Sequence, residues 1–209
     1  MRSRAPMAAD KAAETATSIA FAIRAAEAYL SGDPPEVAGQ QKNPDEGEIM
    51  TIKVGDKLPS VKLMRWGKGG PEAVTTDDLF RGKKVALFGV PGAFTPTCSA
   101  KHLPGFVQQA DALKAKGVDA VVCTSVNDVF VMNAWGNEQK CGEKVTMVAD
   151  GDAAFTKATG LELDLGGKGL GLRNQRFSML VDDGTVKVLN IDPPGAFEKT
   201  SAETLLSQI

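Results

Sequence analysis

Histidine is almost missing from this chain, with one in 209 residues. That leaves no room for a His-rich metal site and little for a Ser-His-Asp triad. Cysteine is scarce too. Cys98, Cys123 and Cys141 are odd in number and contain no C-x-x-C pair, which excludes a secreted disulfide framework, a zinc knuckle and a local dithiol. They read as reduced thiols, and any thiol chemistry must rest on single cysteines. Aromatic residues make up only 6%, too few for a platform that stacks bases or sugars. Neither charge sign dominates: 24 Lys and Arg face 26 Asp and Glu, a net charge of −2 without the basic footprint of a nucleic-acid binder. No apolar run approaches the ~20 residues of a membrane span. What remains is 43% hydrophobic and 24% charged, the make-up of a soluble globular protein. A domain of this size class buries roughly 70% of its unfolded surface and needs neither disulfides nor a structural metal.

The composition shifts near Met50. Residues 8–30 are alanine-rich, with Ile19, Ile23, Ala26 and Leu30 at helical spacing, and 31–48 collect Gly, Pro and charge. Residues 1–49 are therefore expected to be an extension made of a weak helix and a flexible linker, and 50–209 the folded domain. Arg2, Arg4, Lys11 and Arg24 suit an organellar transit peptide, whereas Asp10, Glu14 and Glu27 do not. The expected location is cytoplasmic. Organellar targeting through 1–49, and a natural start at Met50, stay open beside it.

Within 50–209, Val85–Val90 and Val118–Val126 are continuous apolar runs of strand length, and Val145–Ala149 is a third. Phe177–Val181 and Thr185–Ile191 flank Asp183-Gly184, a hairpin signal. Helical stretches fall near 98–116, 127–139, 152–159 and 201–208. The order β-α-β-α-β-β-α predicts an α/β fold of thioredoxin-like type, with a central mixed β-sheet flanked by helices.

The segment Gly89–Phe106, GVPGAFTPTCSAKHLPGF, follows the first apolar run directly. In α/β proteins, chemistry gathers where a strand ends and a helix begins. Pro96 suits a first helical turn, and Cys98 falls in that turn, where free backbone N–H groups favour an anion. A free thiol ionises only slightly at neutral pH, and a helix N-terminus with a nearby guanidinium raises its thiolate fraction. Thr95 is placed to donate to the sulfur or to offer its oxygen to a substrate. An inert buried cysteine is the plain alternative. So is a Cys98–His102 pair, four residues apart on one helical face, acting as a hydrolase or transferase. Pro104 is expected to kink the helix.

Pro91, Thr95 and Cys98 spell P-x-x-x-T-x-x-C, and this resembles the active-site motif of peroxiredoxins. The longer string is similar to the type II, peroxiredoxin-five-like subfamily. The likeness continues through SVNDVFVMNAW, VADGDAAFTKATGL and GLRNQRFSMLVDDGTVKVLNID, so it covers 50–209 and none of 1–49. It implies a thiol-dependent peroxidase acting on hydrogen peroxide and alkyl hydroperoxides, with no cofactor and no metal. Cys98 would form a sulfenic acid and Arg176 would pair with the thiolate and the developing charge. Thr95 would orient the peroxide, and Pro91 would shape and shield the pocket. Arg173 is a weaker candidate for the arginine role.

The same resemblance implies a homodimer with the Gly89–Thr95 turn near its interface. No cysteine follows Cys141, so a C-terminal resolving cysteine is excluded. Cys123 matches the second cysteine of plant-type members and is a possible resolving residue, or simply a small hydrophobe in a strand. The expected reductant is glutathione with glutaredoxin. A thioredoxin-recycled cycle through Cys123, and a redox sensor without turnover, are the alternatives. Cys141, in EQKCGEK, is expected to be a surface thiol. The run 165–173 fits no phosphate-binding glycine pattern and reads as a flexible loop, and Trp66 and Trp135 as packing residues.

Overall fold

Successive residues of a strand point to opposite faces, so a run that is apolar throughout needs cover on both. Val85–Val90 meets that condition. In a computed structural model that describes residues 50–209, Ala86 and Phe88 join one apolar cluster, and Val85 and Leu87 join another on the opposite face of the sheet. The proposed helix and linker of 1–49 lie outside the described residues.

Among the described residues the strands are β1 (Lys62–Gly67), β2 (Gly70–Thr75), β3 (Lys84–Gly89), β4 (Ala120–Ser125), β5 (Thr146–Ala149), β8 (Phe177–Asp182) and β9 (Thr185–Ile191), in the order β2-β1-β5-β4-β3-β8-β9. β3, β4 and β5 run parallel, and the flanking pairs are antiparallel. β6 (Glu162–Leu165) and β7 (Gly171–Asn174) form a separate antiparallel pair. On the Phe88 face lie α2 (Leu103–Ala115), α3 (Val129–Glu138) and α5 (Ala202–Ser207), through Leu103, Phe106, Leu113, Met132, Trp135 and Leu205. The Val85 face is covered by α1 (Thr76–Phe80) and α4 (Ala154–Ala158), through Leu79, Phe80 and Phe155. This is the expected mixed sheet between helices, with the β1–β2 hairpin added at one edge.

Local chemistry sets several boundaries. Asp183 and Gly184 both take positive φ, 44° and 72°, as a type I′ hairpin turn requires. Asp128 caps α3 by accepting from Val131 N at 2.8 Å, and Ser201 caps α5 by accepting from Thr204 N at 3.1 Å. Two local expectations are made more specific. The helix expected from residue 98 opens with a π-helical segment, Cys98–His102, closed by Leu103 N bonding to Cys98 O, and Pro104 sits in the first turn of α2. Pro104 has no N–H to offer Ala100 O, and its ring would crowd that carbonyl, so the bonding register widens ahead of it. The 165–173 run is not a loop throughout. Its ends are strand residues of β6 and β7, and only the tip between them is a turn.

Candidate active site

Gly89, the last residue of β3, pairs with Phe177, the first of β8. The Phe177 ring occupies the space a Gly89 side chain would need, so only glycine allows this approach. The chain leaves β3 through Val90 and Pro91, while Arg176 stands immediately before β8. Two segments far apart in sequence thus end side by side.

The 91–97 turn is held from several directions. Ala93 N donates to Asn127 Oδ1 at 2.9 Å, and the Ser125 hydroxyl donates to Val90 O at 2.9 Å. Arg173 Nη1 donates to Pro91 O at 3.4 Å, and its Nε to Leu170 O at 2.8 Å. Arg173 therefore braces the turn. Phe94, at the tip, has φ of 60° and is 53% exposed. Thr95 donates its hydroxyl hydrogen to Gly92 O at 2.8 Å. That hydrogen is spent, so the lone pairs of the oxygen are what Thr95 can offer a substrate.

Cys98 follows, fully buried, in the apolar cluster of the Phe88 face. Arg176 Nη1 donates to Cys98 Sγ at 3.5 Å and also lies 3.2 Å from His102 Nδ1. Its Nε donates to Ala196 O at 3.1 Å, and its Cζ sits 5.7 Å from the centre of the Phe197 ring. His102, also fully buried, places Nε2 2.9 Å from Thr200 O. Burial, and then the Arg176 charge, push the imidazole down to about 3, so the ring is neutral at physiological pH. With Arg176 on one nitrogen and a carbonyl on the other, His102 has no free nitrogen to serve as a base for Cys98. A narrow cleft lined by Pro91, Arg176, Asp192 and Gly195 lies beside these groups.

The arrangement brings Pro91, Thr95, Cys98 and Arg176 to one strand end and holds a cation against a thiol out of water. It can stabilise negative charge on the sulfur and on an oxygen leaving nearby. The sequence did not reveal Ala196, Phe197 and Thr200 as neighbours of this pair, and it offered His102 only as the partner of Cys98 in the hydrolase alternative. The one available signal was that the sole histidine stands four residues after Cys98.

Cys123 lies in β4, level with Phe88 of β3, in the same apolar cluster as Cys98. Burial, followed by the nearby Cys141 and Cys98 sulfurs, holds its thiol well above the ordinary range. Cys141 corrects an expectation: it is 2% exposed and belongs to that cluster too, and burial pushes it up to about 11. The polar residues around it in sequence turn to solvent, while Cys141 turns inward as α3 leads towards β5. It borders a cavity of about 510 Å³ with Arg65, Trp66, Asn133 and Asn137. None of the three cysteines is in a disulfide. Trp135 is buried and donates Nε1 to Ser99 Oγ at 3.0 Å, whereas Trp66 is 39% exposed and meets Phe130 edge-on.

Residues 53–206 match the Redoxin family. Peroxiredoxin-2E-2, chloroplastic, of Oryza sativa subsp. japonica is 50% identical over 166 residues, covering 77% of this chain and 74% of that protein. Peroxiredoxin-2B of Arabidopsis thaliana is 48% identical over 159 residues, covering 76% of this chain and 98% of that protein. A crystal structure of reduced Prx3 in complex with H2O2 from Vibrio vulnificus is similar with a TM-score of 0.73 and 52% identity, covering 76% of this chain and 99% of that one. The Redoxin match, two relatives near half identity and the thioredoxin-like sheet lead to one conclusion: this chain belongs to the peroxiredoxin family, and is a thiol-dependent peroxidase.

Proposed function

We propose that Cys98 is the nucleophile of this peroxidase, and that Arg176, Thr95 and Pro91 complete its site. The observation that carries the reading is the Arg176 Nη1 contact to Cys98 Sγ, 3.5 Å long and buried at the start of a helical segment. The Cys98 thiolate attacks the terminal oxygen of the hydroperoxide. An S–O bond forms, the O–O bond breaks, and the leaving oxygen takes a proton to depart as water or alcohol, with Cys98 left as sulfenic acid. Arg176 offers its planar fork of N–H groups to the sulfur and the peroxide oxygens as charge moves between them. Thr95 accepts the peroxide O–H through its free lone pairs, and Pro91 walls the cleft.

Glutathione with glutaredoxin then reduces the sulfenic acid. Support for an external thiol comes from Cys123, whose full burial keeps it protonated and weakly nucleophilic. The competing two-cysteine cycle, recycled by thioredoxin, is favoured by one fact: Cys123 shares the apolar cluster of Cys98. A homodimer through the 89–95 turn is supported by the exposed Phe94 ring on a braced backbone. The location is cytoplasmic in this reading, and imaging of the full chain with and without residues 1–49 tests it.

The deciding experiment is peptide mapping under non-reducing conditions after one equivalent of hydrogen peroxide, with and without glutathione. The expected product is Cys98 sulfenic acid, converted by glutathione to a mixed disulfide while Cys123 stays reduced. A Cys98–Cys123 disulfide would move the cycle to two cysteines and thioredoxin. An untouched Cys98 would overturn the assignment.

A further inference from the structure

Among the described residues Arg176 forms no salt bridge, although its guanidinium is almost wholly out of water. Neutral acceptors hold it instead: Ala196 O on Nε and His102 Nδ1 on Nη1, with the Phe197 ring alongside. A carboxylate in their place would fix the side chain as firmly, but it would cancel the field that the sulfur feels. Asp192, the acid that lines the cleft together with Arg176, spends its oxygens elsewhere. It accepts from the Thr200 hydroxyl at 2.6 Å, from Lys199 N at 2.8 Å and from Glu198 N at 3.2 Å, and so fixes the loop that carries Thr200.

The hydrogen-bond directions around His102 are determined by its partners. Thr200 O can only accept, so Nε2 carries the ring proton and Nδ1 presents a lone pair to Arg176. Nη1 has two hydrogens. When one is taken by His102 Nδ1, the other is turned towards Cys98 Sγ. Phe88, Phe106 and Phe197 surround the imidazole at ring-centre distances of 5.1, 5.6 and 5.3 Å, which leaves it no alternative pose.

We propose that His102 is a positioning residue of the peroxidase: its Nδ1 lone pair aims the Arg176 guanidinium at the Cys98 sulfur while leaving the cation's charge uncancelled. This rests on the roles assigned above to Cys98 and Arg176. His102 touches neither sulfur nor peroxide and acts through Arg176 alone.

Two substitutions separate the halves of the ring. His102→Asn puts a carbonyl oxygen near the place of Nδ1 and keeps an acceptor for Arg176. His102→Gln puts an amide N–H near the place of Nε2, keeping the bond to Thr200 but offering Arg176 nothing. The measurement is the stopped-flow rate of the reduced full chain with hydrogen peroxide, for variants whose circular dichroism matches the parent. His102→Gln is expected to react at least about tenfold more slowly, the loss of one aligned hydrogen bond in the transition state, and His102→Asn to recover most of that rate. In an Arg176→Ala background neither change should slow the reaction further. Equal rates for Asn and Gln, or a His102→Gln loss that persists without Arg176, would overturn the proposal. An Arg176→Ala protein reacting at the parent rate would take down the assignment of Arg176 itself, and this inference with it. A second readout uses the unaltered protein, whose single histidine gives one pair of imidazole ¹⁵N resonances. A neutral ring protonated at Nε2 between pH 6 and 8 is expected, and an Nδ1–H tautomer or an imidazolium at pH 6 would refute the proposed geometry.

Discussion

Cys98 and Cys141 share one apolar cluster, and both are almost completely out of water. Cys98 meets a guanidinium at 3.5 Å, whereas Cys141 has no cation at hydrogen-bond distance among the described residues, and burial alone acts on it. Cys141 nevertheless borders the roomy cavity of about 510 Å³, while the cleft near Cys98 is narrow. On the reading proposed above, neither burial nor cavity size singles out the nucleophile, and the difference between the two thiols is the cation. Desolvation by itself disfavours a thiolate, and a fixed cation beside it opposes that cost.

The sharpest way to break this comparison is to exchange each sulfur for oxygen. Cys98→Ser is expected to abolish peroxide turnover. Cys141→Ser should leave the rate within about twofold, because the Cys141 sulfur shares the apolar cluster but makes no hydrogen bond to Cys98 or Arg176 among the described residues. A coupled peroxidase assay on both proteins decides it, and a large loss in a well-folded Cys141→Ser variant would void the distinction.

The next effect concerns alkylation. With the Cys141 thiol at about 11, only about one molecule in ten thousand carries its thiolate at pH 7. Labelling of Cys141 by iodoacetamide should therefore be slow at neutral pH and rise about tenfold per pH unit up to near pH 11. Mass-spectrometric time courses read this directly. A rate independent of pH would mean that local opening, rather than ionisation, limits Cys141.

A smaller effect sharpens the picture of the Arg176 side. His102 titrates at about 3 when folded and near 6.5 when unfolded, so between those values the unfolded chain holds a proton that the native one does not. Stability must then fall as pH drops from about 6.5 to 3, by on the order of 5 kcal/mol at the acid limit. Asp192 acts in the same direction. Burial raises it, but bonds from Thr200, Lys199 and Glu198 outweigh that and hold it below the usual carboxylate value, a stabilisation lost as acid protonates it. Asp150, raised by burial, opposes both near the acid end. Urea midpoints measured against pH should show a steeper loss for the parent than for His102→Asn, by about one proton. Parallel curves would contradict a buried neutral His102.

The strand cores were legible because their information is local. Val85–Val90 is apolar at every position, and that pattern suits a strand covered on both faces. Asp183-Gly184 spells its own turn, since both positions tolerate positive φ. The edge hairpin β1–β2 was not read, because Arg65, Glu72 and the half-exposed residues around them give no sustained alternation. Pro104 announced a disturbance but not its form, which depends on how the preceding carbonyls are relieved. Cys141 misled because its neighbours in sequence are polar, while the direction of a side chain leaving a helix is set by packing rather than by neighbours.

By itself, the sequence determined where a nucleophile could stand. An apolar strand, a proline-glycine turn and Cys98 at a helical start follow one another within a few residues, so backbone geometry alone joins them. Only the tertiary structure decided what surrounds that sulfur. Arg176 comes from 78 positions away, and Thr200, which orders the ring that holds Arg176, stands 98 positions from His102. Those meetings depend on the pairing of β3 with β8 and on the loop clasped by Asp192. The energy that fixes them is cooperative burial, which no single segment carries.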